Sequence, residues 1–356
     1  MTKIINIKNR IISDHHKPLI IAEISANHEN SLKKTFNLLN KAAKAKVEAV
    51  KFQTFNLPDM TLNLNKKEFL INKKFNNKNW NSRSLYSIYK EAQFPFKWHK
   101  AVFKKANSLG LICFSSVFDI TSLKFLEKLD VPAYKIASLE ALHFPLIKEV
   151  SKTNKPLIIS TGTMNSQEIN QLVKFLRKIK CKKFVILHCI SDYPTKNKDV
   201  NLKFISHLKK KYNCLVGFSD HTPNLGASIS SVAYGASVIE KHLKLDNSKK
   251  SLDHQFSITP NEMKNLINET NNAWEAKGKS IKVITKGEKV IKKYRRSIYS
   301  IKLIKKGEII SKDNIKIIRP SYGMPPKYYN KIIGKVAIKN IKIGQPLKSN
   351  LIKNIT

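Results

Sequence analysis

The sequence has no apolar run long enough to cross a membrane, and it has few cysteines. A membrane-spanning helix needs about 20 consecutive apolar residues, whereas charged and polar residues interrupt the apolar segments of this chain. The N-terminal segment MTKIINIKNRIISDHHKPLI also lacks the apolar stretch of a secretory signal peptide. The four cysteines include no CxxC pair, so we interpret them as buried apolar residues in a reducing compartment. The expected location is the cytoplasm, with no membrane partner.

Acidic residues are also scarce. The chain has 25 Asp and Glu against 66 Lys and Arg, which gives a formal net charge of +41. A strongly basic surface is typical of proteins that bind nucleic acids or anionic membranes. The lysines here are spread over the whole chain among many Asn and Ile residues, which favours compositional bias over a binding patch. We therefore expect no nucleic-acid partner and keep polyanion binding, with its strong salt dependence, as an alternative.

Short apolar segments recur along the first three quarters of the chain, and helical patterns occupy most of the gaps between them. They are apolar almost throughout, which is typical of parallel strands covered by helices. In one gap, Ser166 and Glu168 suit the start of a helix. Eight strand–helix units in about 250 residues predict an α/β fold, a (β/α)8 TIM barrel, with an open doubly wound sheet as the alternative. The predicted strands are 19–25, 48–53, 111–116, 133–138, 156–161, 184–189, 214–220 and 237–243.

The composition changes after the last predicted strand–helix unit. We assign residues 1–276 to the barrel and the polar, lysine-rich segment 277–293 to a linker. Residues 294–356 contain short β-type runs separated by Lys-Gly and Gly-Gln-Pro turns, which predicts a small β-rich domain. Within the barrel, 54–110 is an unusually long connection between the second and third strands. Long loops at the catalytic face often carry substrate contacts.

Polar residues occur at the end of every predicted barrel strand. In a parallel barrel, catalytic groups lie at the C-terminal ends of the strands, so these residues predict one ligand-binding mouth. They include Glu23, Lys51, Gln53, Ser116, Lys135, Ser138, Glu140, Ser160, Ser191, Tyr193, Ser219, Asp220, Glu240 and Lys241.

The residue types at this mouth indicate two kinds of binding. Lys51 and Lys135, together with the serines, suit the oxygens of phosphate and carboxylate groups. A lysine inside a strand needs an anion or a carboxylate partner, so internal Lys–Glu pairs are the alternative interpretation. Other polar residues suit the hydroxyl and amide groups of a sugar, and a carboxylate among them can serve as general base. These sugar-type groups are Glu23, Gln53, Glu140, Tyr193 and Asp253.

Two histidines end the seventh and eighth predicted strands, His221 in GFSDHT and His242 in VIEKHL. These strands are neighbours in a barrel, so the two imidazoles predict a divalent metal site. Two protein ligands leave positions open for substrate and water, as in a Lewis-acid site. His188, at the end of the sixth strand, is an alternative third contact.

The motifs IIAEISANHENSL, AVKFQT, GLICFSSVFD, VPAYKIAS, KPLIISTGTM, LHCISDYP, GFSDHT and GASVIEKHLKLD resemble those of the sialic acid synthase family. The C-terminal RRSIYSIKLIKKGEIISKDNIKIIRPSYGMPPKYYNKIIGK is similar to the antifreeze-like (SAF) domain that these enzymes carry. The resemblance implies condensation of phosphoenolpyruvate with an open-chain N-acylated amino sugar, giving a nine-carbon 2-keto acid and phosphate. It also implies a divalent cation, usually Mn²⁺ with Mg²⁺ or Co²⁺ as substitutes, and a homodimer whose small domains cover the partner's barrel.

The resemblance further implies a role for each matching residue. His221 and His242 would be the metal ligands and, with Glu23, the catalytic residues. Arg319 would reach from the partner chain toward an acyl group. The sugar contacts would be Glu23, Gln53, Tyr193 and Asp253. Phosphoenolpyruvate would be held by Lys51, Ser116, Lys135, Ser138, Ser160 and Ser219.

One segment distinguishes branches of the family. NWNSRSLYSIYKEAQFPFKWHKAVFKKA is similar to the pseudaminic acid branch, whose acceptor is a 2,4-diacetamido-2,4,6-trideoxy hexose. Asp253-His254 is commoner in the neuraminate and legionaminate branches, so those acceptors remain alternatives.

Overall fold

The computed structural model describes residues 3–72, 77, 79–245 and 251–354. The chain divides into two compact units, residues 1–278 and 279–356. The predicted linker, 277–293, is not an extended segment throughout, because it contains a short helix, α11 (Lys286–Ile291), capped by the side chain of Thr285. Nearly all of it belongs to the second unit.

The first unit is a closed barrel of eight parallel strands, which confirms the predicted TIM barrel over the open sheet. The last strand pairs with the first, so the sheet closes on itself. Both ends of every strand lie within two residues of the predicted bounds. The strands are β3 (Leu19–Glu23), β4 (Ala49–Thr54), β5 (Ile112–Val117), β6 (Tyr134–Ile136), β7 (Leu157–Ser160), β8 (Phe184–Cys189), β9 (Leu215–Asp220) and β10 (Val238–His242).

Successive residues of each strand alternate between the barrel interior and the layer of helices, as the pleat of a strand requires. On β10, Val238 packs in the interior cluster and Ile239 in the outer cluster. Gly217 of β9 faces inward, where an added Cβ would lie 2.3 Å from the carbonyl oxygen of Val238. Only glycine fits at this point of the interior.

An N-terminal hairpin of β1 (Ile5–Ile7) and β2 (Arg10–Ile12) precedes the barrel. Its Ile5, Ile7 and Ile12 pack in the same cluster as the inward residues at the starts of the barrel strands. The hairpin therefore closes the N-terminal end of the barrel, opposite the end where the polar residues gather.

Helices alternate with the strands and bury one face against them. Local signals define their ends: the side chain of Ser31 caps α1, and Asn165 caps α7 in a capping box with Glu168. The predicted start of α7 is confirmed, since the helix begins at Ser166 and Glu168 lies in its first turn. The helices of this unit are α1 (Leu32–Lys44), α2 (Leu57–Met60), α3 (Leu85–Ala92), α4 (Phe96–Ser108), α5 (Ile120–Glu127), α6 (Phe144–Ser151), α7 (Ser166–Lys178), α8 (Lys203–Tyr212), α9 (Gly226–Ser231) and α10 (Pro260–Ala276).

The long connection 54–110 consists of α4, which packs against α1 and β5, preceded by an insertion that carries α2 and α3. The second unit pairs β11 (Ser297–Ser300) with β12 (Ile315–Ile318) and adds α12 (Tyr329–Ile332) after α11. Single β-bridges such as Ile304 with Ile341 replace longer strands. Over the described ranges, no helix is both long and apolar enough to cross a membrane.

Candidate active site

A cavity of about 360 Å³ lies at the C-terminal ends of the barrel strands. Of the residues predicted at the mouth, Glu23, Asp220 and Lys241 do not line it. The others do: Lys51, Gln53, Ser116, Lys135, Ser138, Glu140, Ser160, Ser191, Tyr193, Ser219, His221, Glu240, His242 and Asp253. Arg319 belongs to the second unit, where it directly follows β12 and is exposed. Its contact with an acyl group therefore stays a prediction.

The period of two along each strand decides which strand-end residues reach the cavity. On β10, Glu240 and His242 line it, and Lys241 between them faces outward. Lys241 pairs with Asp220 at 3.0 Å and donates to the carbonyl oxygen of Thr222. Asp220 also accepts from the hydroxyl of Ser228 on α9. The prediction that Asp220 and Lys241 belong to the mouth is therefore wrong. They form a buried ion pair between β9 and β10, on the side of the barrel that faces the helices.

The floor of the cavity is a cluster of two lysines and two glutamates. Lys51 forms an ion pair with Glu23 and donates to the Ser116 hydroxyl at 2.9 Å. One oxygen of Glu240 lies 3.7 Å from the Lys51 ammonium and 3.4 Å from that of Lys135. The Lys–Glu pairs considered as an alternative are therefore present, but a single carboxylate, Glu240, is shared between both lysines.

The ionisable groups of this floor shift one another's pKa. Burial raises the pKa of Glu23 to about 7, although Lys51 opposes the shift. Burial alone would also raise the pKa of Glu240, but the charges of Lys135 and Lys51 hold it below its usual value. Burial would lower the pKa of Lys51, but Glu23 and Glu240 raise it, so its ammonium is retained. Burial lowers the pKa of Lys135, and the charge of Glu240 opposes this shift. Two lysines that share the Glu240 carboxylate give the floor N–H donors for an added anion.

The two imidazoles lie side by side at the rim, with their ring centroids 5.4 Å apart. His221 has Nδ1 3.0 Å from the carbonyl oxygen of Ile190, so Nδ1–H can donate there and leave Nε2 available. Nδ1 of His242 has no hydrogen-bond partner in the described part of the chain and lies 3.6 Å from an oxygen of Asp253. Phe256 packs against both rings.

These rings suit a divalent cation. Burial, and then the positive charges around it, hold the pKa of His242 well below its usual value, so the ring is neutral as a metal ligand must be. The described residues form no group of three or more His, Cys, Asp or Glu side chains arranged to hold a metal ion. A cation at this place would therefore take its other ligands from substrate and water.

Two further groups have unused hydrogen-bonding capacity toward the cavity. The Ser160 hydroxyl and one oxygen of Glu140 are buried and lack a hydrogen-bond partner among the residues described. Burial raises the pKa of Glu140 to about 7. The Ser138 hydroxyl accepts from the backbone N–H of Gly162 at 3.1 Å. Unsatisfied buried polar groups at a cavity indicate positions where a ligand completes the hydrogen bonding.

Sequence reasoning missed several lining residues. Cys189, interpreted as a packing residue, lines the cavity with its sulfur 3.7 Å from His221 Nδ1. His188, the alternative third contact, faces outward instead: its Nε2 lies 2.6 Å from the Val200 carbonyl oxygen, and its ring packs against Phe204. Side chains alternate between the two faces of β8, so Cys189 and His188 must point to opposite sides of the strand. The insertion also lines the cavity, with Met60, Ile71, Trp80, Leu85, Ile88, Tyr89 and Ala92.

A closed barrel with a polar cavity at the C-terminal ends of its strands, followed by a separate unit, has the architecture of a TIM-barrel enzyme. The NeuB family profile matches residues 38–282, and the SAF domain profile matches residues 295–353. The chain belongs to the NeuB family.

Individual relatives agree with this assignment. The pseudaminic acid synthase of Campylobacter jejuni is 41% identical over 93% of this chain and 96% of the relative. The N,N'-diacetyllegionaminic acid synthase of the same organism is 35% identical over 92% of this chain and 97% of the relative. The crystal structure of the N-acetylneuraminic acid synthetase of Leptospira borgpetersenii has a TM-score of 0.72 and 29% identity, covering 82% of this chain and 95% of that one.

Proposed function

We propose that this protein is a pseudaminic acid synthase. It condenses phosphoenolpyruvate with 2,4-diacetamido-2,4,6-trideoxy-altrose and gives a nine-carbon 2-keto sugar acid and phosphate. The observation that carries the reaction class is the union, in one cavity, of two lysines sharing a carboxylate with two adjacent imidazoles. The higher identity to a pseudaminic acid synthase than to a legionaminic acid synthase supports this acceptor.

The reaction joins C3 of phosphoenolpyruvate to the aldehyde carbon of the sugar. Water then adds at C2, and phosphate leaves by cleavage of the C–O bond. Lys51 and Lys135 bind the phosphate and carboxylate oxygens with charge-assisted hydrogen bonds. The Ser160 hydroxyl, which lacks a partner among the described groups, adds a further donor. Ser116, Ser138 and Ser219 complete this anion site.

A divalent cation, with Mn²⁺ as the first candidate and Mg²⁺ or Co²⁺ as substitutes, would be held by His221 and His242. Such an ion supplies Lewis-acid polarisation of a bound oxygen. The chain's own contribution is to keep both rings buried and fixed by Phe256 and the Ile190 carbonyl group.

Proton transfer is better assigned to Glu140 than to Glu23. Glu23 is fully buried behind Lys51 and accepts from the backbone N–H of Ser25, so it acts by holding Lys51. Glu140 lines the cavity, and its pKa of about 7 allows it to bind and release a proton near neutral pH. Gln53, Tyr193, Ser191 and Asp253 remain as contacts for the acetamido and hydroxyl groups of the sugar.

The test is an assay of the purified protein with phosphoenolpyruvate, Mn²⁺ and a panel of acetamido sugars. Phosphate release and product mass are followed with the altrose derivative, the legionaminate precursor and N-acetylmannosamine. We expect the highest kcat/KM with the altrose derivative. Turnover confined to either of the other sugars would reassign the acceptor, and no turnover with any of them would overturn the proposed function. A cytoplasmic location stays a prediction from the N-terminal segment and the cysteines, and a domain-swapped homodimer stays a prediction of the resemblance.

A further inference from the structure

The cavity has two contrasting sides. Its floor carries the charged and hydroxyl groups, and one wall is made of apolar side chains. Ala26, Ile88 and Leu252 are buried there as a separate small cluster, with Ile71, Trp80 and Ala92 packed against it. All six line the cavity, and we refer to them as the apolar wall. Four of the six come from the insertion between β4 and α4.

The apolar wall is fixed to the rest of the site. The indole N–H of Trp80 donates to the carbonyl oxygen of Leu252 at 3.2 Å, and the side-chain amide of Asn77 donates to the same oxygen at 3.0 Å. The Trp80 ring packs against Tyr193, with the ring centroids 5.5 Å apart. The wall is therefore tied directly to the backbone beside Asp253 and to a predicted sugar contact.

The chemistry at the floor determines which end of the sugar faces this wall. Condensation requires the aldehyde carbon to lie beside phosphoenolpyruvate and the imidazoles, so the opposite end of the open chain, C6, points away from the floor. The wall presents hydrocarbon there, and the one polar hydrogen among its side chains, on the Trp80 nitrogen, is already donated. A hydroxyl group placed against it would give up water without gaining a protein partner.

We propose that the apolar wall selects a sugar whose C6 is a methyl group over the same sugar with a hydroxymethyl group. The inference rests on the proposed function and adds the residues that set this preference. A hydrophobic pocket rejects an added hydroxyl group by about 10- to 100-fold. We therefore expect the wild-type enzyme to prefer the 6-deoxy acceptor by about that factor in kcat/KM.

The experiment compares two acceptors that differ only at C6, 2,4-diacetamido-2,4,6-trideoxy-altrose and 2,4-diacetamido-2,4-dideoxy-altrose. The test variant is Ile88→Thr, which keeps the branched shape and offers a hydroxyl group to the ligand. We expect it to reduce the preference by about tenfold, mainly through KM of the acceptor, and to leave KM for phosphoenolpyruvate unchanged. Ile120→Thr, on α5 and outside the cavity lining, is the matched control and should retain the wild-type preference.

The outcomes separate the two proposals. Equal kcat/KM for both acceptors in the wild type, or an Ile88→Thr change that affects both acceptors alike, would overturn the role of the wall alone. Failure of the wild type to release phosphate with either acceptor would overturn the proposed function, and the wall's role with it. If Ile88→Thr does not fold, Ala92→Ser adds a hydroxyl group to the same wall at a half-buried position and must show the same reduced preference.

Discussion

His221 and His242 show how two residues far apart in the chain form one chemical unit. β9 and β10 are hydrogen-bonded neighbours, so the side chains that follow the same pleat lie beside each other at the rim. The Ile190 carbonyl group fixes one ring, and Phe256 packs against both. We infer that the two rings bind a cation together, since the described residues supply no third protein ligand beside them.

Replacement of His242 or His221 by alanine should lower kcat/KM at least about 100-fold, because a Lewis acid contributes several kcal/mol to transition-state stabilisation. Phosphate release and Mn²⁺ binding are measured on the same samples. His207→Ala, on the exposed side of α8, is the control and should behave as wild type. Near-normal turnover of either variant in the presence of a strong chelator would refute the metal assignment.

At the scale of single residues, the sequence predicted the lysines, serines and histidines well because their polarity is unusual for strand ends. It could not predict that Glu240 is shared by Lys51 and Lys135, since this depends on distances across the barrel. Cys189 was overlooked because a cysteine in an apolar run carries no polar signal. Its sequence neighbour His188 was considered because a histidine at a strand end is polar, although its ring faces the helices.

The strands determine which neighbours in the sequence become neighbours in the site. In SDHT, Ser219 and His221 face the cavity, and Asp220 faces α9. The outward pair of Asp220 and Lys241 is fully buried and ties β9, β10 and the Thr222 turn together. We infer that it holds the two strand ends that carry the imidazoles.

The Asp220→Asn substitution should lower the free energy of unfolding by about 3–5 kcal/mol, because it leaves the Lys241 ammonium buried and unpaired. Chemical denaturation measures the change. The matched control is Glu149→Gln, whose partner Lys152 is mostly exposed, and it should cost less than about 1 kcal/mol. Equal effects of the two substitutions would contradict a special role for the buried pair.

At the scale of elements, strand positions were predictable because each strand is a short apolar run of distinct length. The insertion was recognised only by its length, since the side of a helix such as α3 that meets a cavity is decided by tertiary packing. The second unit was expected to be rich in strands. Instead, isolated bridges such as Tyr299 with Pro346 join its turns, and a pattern of short apolar runs does not distinguish these from regular strands.

For the whole molecule, buried histidines make stability depend on pH. Burial lowers the pKa of His28 and of His99 to about 4, whereas an unfolded histidine titrates near 6.5. Below pH 6.5 these two imidazoles bind protons in the unfolded chain that they do not bind in the folded chain, so their contribution to stability falls as the pH drops toward 4. Each histidine contributes up to about 1.4 kcal/mol per pH unit within this window.

Glu23 and Glu140, whose pKa is raised to about 7, act in the opposite direction, because their folded carboxyl groups bind protons before the unfolded ones do. The histidine contribution is therefore measured as a difference between variants, in urea unfolding between pH 7 and pH 4.5. The His99→Gln variant should show a shallower loss, because it removes one of the two buried imidazoles. His207→Gln changes an exposed ring and should leave the slope unchanged. If wild type and His99→Gln lose stability in parallel, a group other than His99 controls the pH dependence of stability.

A second prediction at this scale concerns Arg319. If it acts in the partner's barrel, His221→Ala and Arg319→Ala will each be inactive alone, but mixed dimers will contain one intact site. Co-refolding equal amounts of the two variants should restore up to about a quarter of wild-type activity. Gel filtration of the same sample reports the oligomeric state. No recovery from a sample shown to contain mixed dimers would exclude a contribution from the partner.

The overall fold was the most predictable property, since eight units of one kind admit few closed arrangements. Composition predicted the boundary between the two units, because lysine-rich polar sequence replaces the apolar runs near residue 277. The function of the +41 charge could not be predicted from the sequence. A uniform spread of lysines is expected both for a solvated surface and for a surface that binds polyanions weakly. Salt titration of activity and of RNA binding separates these two cases.

The shared carboxylate of Glu240 also has a consequence for turnover. Two lysines that share one carboxylate attract an oxyanion after the reaction as much as before it. The released phosphate should therefore act as a competitive product inhibitor against phosphoenolpyruvate. The rate of the enzyme in a cell would then follow the supply of the enol phosphate relative to the standing pool of inorganic phosphate.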